Sequence, residues 1–132
     1  MKIYLSDELE FSLAADEKVT CWIVSNGSKE EVEDILSKLK TKMFFGADVI
    51  VISGINRYEL HDIIDDIFYE NGIYNIITAV GEEIDLLESA ILALTIRPDS
   101  ERSYIIIEDR DDQGFQKLMK AILEKAISDS KY

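Results

Sequence analysis

The chain has 132 residues, 47% of them hydrophobic, with one proline, one cysteine, and 27 acidic against 14 basic side chains for a formal net charge of −13. That length serves a single domain, 1–132, burying roughly two-thirds of its unfolded surface, and the apolar content excludes disorder. The negative charge disfavours nucleic acid and anionic lipid as partners and favours basic ones, and no run approaches the ~20 apolar residues of a membrane span.

One cysteine forms no internal disulfide, which fits a reducing compartment. The opening MKIYLSDELE lacks the basic-then-apolar layout of a secretory signal, so a cytoplasmic setting is expected.

Ile3-Tyr4-Leu5 reads as a short strand, and the acidic stretch Ser6–Lys18 leaves room for another at Phe11–Ala14. Val19–Ser25 (VTCWIVS) is a strand. Asn26-Gly27 turns the chain, Ser28 is placed as an N-cap, and Glu31 completes a capping box. Val32, Ile35, Leu36, Leu39 and Met43 then recur at helical spacing to near Phe44, with Gly46 beyond as a stop. Val49–Ile52 is a continuous β-branched run, the pattern of a strand buried on both faces. After the turn Ser53-Gly54-Ile55, Asn56 and Glu59 repeat the capping spacing. Leu60, Ile63, Ile64, Ile67 and Phe68 form an apolar face, closed by Gly72 at positive φ. Tyr74–Val80 is the next strand. A helix over Glu82–Ile96 follows, acidic in its first turn and stopped at Arg97-Pro98. Tyr104–Glu108 is the last strand, and Asp112 caps a helix with the stripe Phe115, Leu118, Met119, Ile122 and Ile127.

Strand and helix alternate, which predicts the α/β class: a three-layer α/β/α domain around a mainly parallel, doubly wound sheet of four to five strands, flavodoxin-like or Rossmann-like. The amino-terminal strand belongs at an edge, in either orientation.

Ligands of such sheets gather at the carboxyl ends of the strands. Neither GxGxxG nor GxxxxGK[ST] is present there, and two of the four ends carry carboxylates that repel phosphate, so no nucleotide or other cofactor is expected. His61 is the only histidine. It lies at the border of an apolar helix face, one turn from Asp65, where it can orient, bind a metal or cover the core edge. A Ser53–His61–Asp65 hydrolase can be drawn, but VISGI lacks the first glycine of a GxSxG elbow. Cys21, beside Trp22 in a strand, reads as a core thiol. One cysteine and one histidine support no zinc site. Asp109-Arg110-Asp111-Asp112-Gln113-Gly114 opens like a calcium loop, yet its twelfth position falls on Lys120 where a bidentate acid is needed. No spacing demands magnesium at Asp62, Glu82 and Asp109. No metal is therefore expected.

Charge is unevenly distributed. Residues 29–42 hold four acids and four bases, whereas 113–132 carry four lysines against Glu124 and Asp129, so the acidic excess falls on 56–112 and 7–17. Tyr58, Asp62, Asp65, Asp66, Tyr69 and Glu70 share the outer side of one helix, and Glu82, Glu83, Asp85 and Glu88 open the next. Solvated helix faces are commonly charged. Here, however, lysines are not interspersed, and like charges at i,i+4 such as Asp62–Asp66 weaken a helix.

LHDIID (60–65), CWIVSNG (21–27) and TAVGEEIDLLESAI (78–91) together resemble a group of small uncharacterised bacterial α/β domains with a Trp-containing first strand, a Leu-His-Asp helix and an acidic third helix. The resemblance spans roughly residues 3–120 and implies the same fold, with His61 and Asp62 at the group's His-Asp. The group often has a second histidine after the third strand, where this chain has Gly81-Glu82-Glu83. In size, acidity and expected compartment the chain is also similar to immunity proteins of bacterial contact-dependent toxin systems, which bind and neutralise toxin domains, often nucleases.

The leading expectation is a non-catalytic immunity-type protein that docks a basic toxin domain through Tyr58, Asp62, Asp65, Asp66, Tyr69, Glu82, Glu83, Asp109 and Asp111. The competing readings are a small enzyme or metal-dependent hydrolase centred on His61, and a homodimeric scaffold.

Overall fold

The structure, a computed structural model, describes residues 2–5, 18–41, 46–81, 85–97, 101–110 and 112–129. The elements run β1 (Lys2–Leu5), β2 (Val19–Val24), α1 (Lys29–Thr41), β3 (Val49–Ser53), α2 (Arg57–Glu70), β4 (Ile77–Val80), α3 (Leu86–Thr95), β5 (Ser103–Glu108) and α4 (Gln113–Asp129). The expected strand at Phe11–Ala14 lies outside the described residues.

All five strands join one parallel sheet in the order β1-β5-β2-β3-β4, a flavodoxin-like arrangement with β1 at an edge, parallel to β5. From β2 to β3 to β4 the chain steps in one direction, with α1 and α2 on one face. It then returns across the sheet to β5, and a right-handed crossover in the reverse direction puts α3 on the other face. Side-chain alternation divides the core accordingly. Cys21, Ile23, Ile50, Ile52, Ile105 and Ile107 meet α1 and α2. Trp22, Val24, Val49, Val51, Tyr104 and Ile106 meet α3 and α4. Each residue of β2, β3 and β5 is buried, which is why Val49–Ile52 of β3 reads as an unbroken β-branched run. Burial pushes the Cys21 thiol up to about 12, so it is an inert core group.

The capping signals are resolved individually. At α1 the box is complete: the Ser28 amide donates to Glu31 Oε1 at 3.1 Å and the Glu31 amide to Ser28 Oγ at 3.4 Å. Ser28→Ala should lower stability by about 1 kcal/mol, read as a shift of the urea midpoint; an unchanged midpoint would mean that the box carries no weight. Asn56 makes no cap hydrogen bond to α2, because its amide is committed to the neighbouring loop, donating to Ser25 Oγ and the Gly27 carbonyl. Gly72 closes α2 as expected, at φ +68°, with Ile73 N–H bonded to the Phe68 carbonyl and Gly72 N–H to that of Tyr69.

Three expectations need adjustment. β4 begins at Ile77 rather than Tyr74, since pairing starts where Ile77 meets Val49. The described part of α3 starts at Leu86, capped by the Asp85 carboxylate on Leu87 N–H at 2.9 Å. Leu118 is not in the core: it is 49% exposed, and Gln116, Met119, Leu123 and Ala126 supply the buried stripe of α4 instead.

At the amino ends of the strands an ion cluster ties the sheet together. Arg102, 2% exposed, holds both Asp48 oxygens and also donates to the Arg97 carbonyl and Thr20 Oγ1. Arg97 adds a 2.9 Å bond to Asp48. One cluster therefore joins the starts of β2, β3 and β5 to the end of α3.

Candidate functional site: a filled switch point and an acidic helix face

The strand order reverses between β2 and β5, and at the carboxyl ends of those two strands such a sheet opens a crevice for ligands. In this protein Asp109 fills it. Its carboxylate accepts from Ser25 Oγ at 2.7 Å, from Asn26 N–H at 3.2 Å and from Gly27 N–H at 3.1 Å. Gly27 permits this approach, because a Cβ there would lie 2.9 Å from the Asp109 carboxylate. The neighbouring loop locks on from the side. Asn26 Oδ1 accepts from Ile55 N–H at 2.8 Å, and the Ser25 carbonyl accepts from Asn56 N–H at 3.0 Å. Gly54, at φ +100°, passes so close that a Cβ would sit 2.5 Å from the Ser25 carbonyl oxygen.

Glu108, also buried, bonds Arg110 N–H and Asp112 N–H, both at 2.8 Å, and so shapes the turn into α4. Asp112 then caps that helix by accepting from Phe115 N–H, as its position implies. The amides described at the ends of β2 and β5 are thus occupied by the protein's own carboxylates.

The candidate contact residues separate into three groups. Tyr58, Asp62, Asp65, Asp66 and Tyr69 all stand exposed on α2. Asp109 does not join them: it is 7% exposed and turned into the β2–α1 loop, because three donors there need an acceptor. Glu82, Glu83 and Asp111 lie outside the described residues.

Helix α2 carries five acids against Arg57, with none of its last-turn residues basic. Glu70 therefore stands unfavourably at the negative end of the helix dipole. Among the described residues no lysine or arginine forms an ion pair with Asp62, Asp65, Asp66 or Glu70. Aromatics frame the patch at both ends. Tyr58 lies under the Arg57 guanidinium at 4.7 Å, and Tyr69 meets Tyr74 edge to face with centroids 6.4 Å apart.

His61 sits at the edge of the apolar face, with its ring nitrogens 3.5 Å from Asp62 and from Asp65. Ser53 is not its partner. The Ser53 hydroxyl points through the opposite side of the sheet, bonded to Ser89 of α3 and to the Trp22 indole, so the drawn Ser53–His61–Asp65 triad does not assemble. Among the described residues no three His, Cys, Asp or Glu side chains come together as a metal site, and no helix is long and apolar enough to cross a membrane.

Two further residues belong to this region: Tyr74, which periodicity places in a strand, stands exposed against Tyr69, and Glu33 of α1 lines a groove with Asp66 and Glu70 of α2. The signal for Glu33 is the order of charges, with all four acids in the first half of residues 29–42 and three of the four lysines in the second. Comparison with protein-family models, curated protein sequences and solved structures finds no match.

Proposed function

We propose that this chain is a non-catalytic acidic binding protein of the immunity type, which neutralises a basic toxin domain, such as a nuclease, by docking it on α2. The observation that carries the reading is the exposed row Tyr58, Asp62, Asp65 and Tyr69, whose carboxylates have no lysine or arginine partner among the described residues. Like charges repeated along a helix cost stability, and a basic partner recovers that cost on binding. Exposed tyrosines beside the acids supply apolar contact area with a polar tip. The filled switch point supports a binding role over a catalytic one, because the place where this fold holds substrates is committed to Asp109. The acidity and size that resemble immunity proteins point to the toxin as the class of partner.

The test is capture of a basic domain, first that encoded by the neighbouring reading frame, followed by charge reversal. Asp62→Lys/Asp65→Lys should slow association about 10- to 100-fold at low salt, with the difference shrinking as salt is raised. Capture of no basic protein, or association rates that ignore the reversal, would refute the reading.

A further inference from the structure

A groove of about 440 Å³ runs between α1 and α2 on the same side of the sheet. Its floor is Leu36, Ile63 and Ile67, and its rim is Glu33, Asp66 and Glu70. On α2 the contributing positions 63, 66, 67 and 70 follow the i, i+3, i+4, i+7 pattern, a stripe about 10 Å long and so two helical turns.

We infer that this groove seats one face of a basic amphipathic segment of the partner, with aliphatic anchors on the floor and lysine or arginine heads at the rim. The inference rests on the reading of α2 as the docking helix and names the part of that helix that grips. Charge complementarity selects the occupant. No lysine or arginine among the described residues pairs with the three rim carboxylates. An acidic segment would be repelled, and a neutral apolar one would desolvate the acids without compensation. A basic amphipathic segment meets both demands, because its long cationic side chains lie along apolar surface while their heads reach the carboxylates. His61 takes no part, since it lies on the opposite flank of α2 from Ile63, Ile67 and Glu70 in the helical projection.

Fluorescence anisotropy with a labelled amphipathic leucine–lysine helix peptide tests this, against a scrambled peptide of identical composition. The ordered peptide should bind at least about tenfold more tightly than the scrambled one. Ile63→Asp should abolish that preference while leaving weak charge-driven binding of both, and Asp66→Lys/Glu70→Lys should abolish the preference and weaken binding of both. Circular dichroism of each variant checks that the fold is intact. Equal binding of the two peptides would overturn the groove while leaving the acidic-face reading in place. A native partner that responds to Asp62→Lys/Asp65→Lys but not to the groove variants would do the same. Selective peptide binding in a protein that captures no basic partner would uphold the groove and remove the toxin reading. If the wild type self-associates in sedimentation and the groove variants do not, a second copy fills the groove and the inference falls.

Discussion

Asp109→Ala is expected to lower the unfolding free energy by roughly 3 kcal/mol, about 10 °C in Tm for a chain of this size. The alanine removes the acceptor for Ser25 Oγ and for the Asn26 and Gly27 amides in one step. Unsatisfied buried donors cost about 1–3 kcal/mol each, and water entering the vacated space recovers part of the total. Asp109→Asn should cost roughly half as much, because one carbonyl oxygen still faces the amides. Asp62→Ala, on the exposed side of α2, should stay within about 0.5 kcal/mol of wild type. Urea unfolding of the three variants measures the ranking. If Asp109→Ala were as mild as Asp62→Ala, Asp109 would not be a structural plug, and its place among the contact residues would be restored.

The second large effect lies at the other end of the sheet. Arg102→Met should destabilise by roughly 2–3 kcal/mol, since it leaves the partly exposed Asp48 with Arg97 alone and removes the bonds to the Arg97 carbonyl and Thr20. The double variant Asp48→Leu/Arg102→Met should recover part of that loss, because it also removes the carboxylate that Arg102 no longer neutralises. This cluster also determines an acid dependence. Burial raises the Asp48 pKa, but the hydrogen bonds of Arg102 and then Arg97, with their charges, outweigh burial and hold it below the ordinary carboxylate value. A carboxyl lowered on folding contributes stability that is complete above its unfolded pKa, about 3.9, and that is lost as pH falls through the folded value. Wild type should therefore show no contribution from this group to the slope between pH 7 and 5, and a loss below about pH 4 that is absent in Asp48→Asn. An identical acid limb in Asp48→Asn would show that Asp48 does not titrate with unfolding.

Periodicity made most of the fold legible. VIVI and YIII announce strands covered on both faces, and the stripes of α1 and α2 announce the helices that cover them. Register-dependent details were less accessible. Leu118 and Gln116 exchange places because α3 packs against α4, which shifts the buried stripe of α4 by part of a turn. Of the candidate site, the α2 row follows directly from helical spacing. The separate fate of Asp109 does not, because its donors lie 82 to 84 positions away in the chain.

By itself, then, the sequence determined the α/β class, the central buried strands β2, β3 and β5, the completed box at Ser28 and Glu31, and a row of acids and tyrosines on one helix. All of these are encoded within a few residues or a few helical turns. Tertiary structure alone decided which of the described acids stay exposed. Helix α2 displays its carboxylates to water, whereas the crossing that sets β5 beside β2 aims Asp109 at unpaired backbone amides, and buried donors outcompete solvent for a carboxylate. The same packing brings Glu33 beside Asp66 and Glu70 around an apolar floor, a grouping that depends on two helices lying side by side.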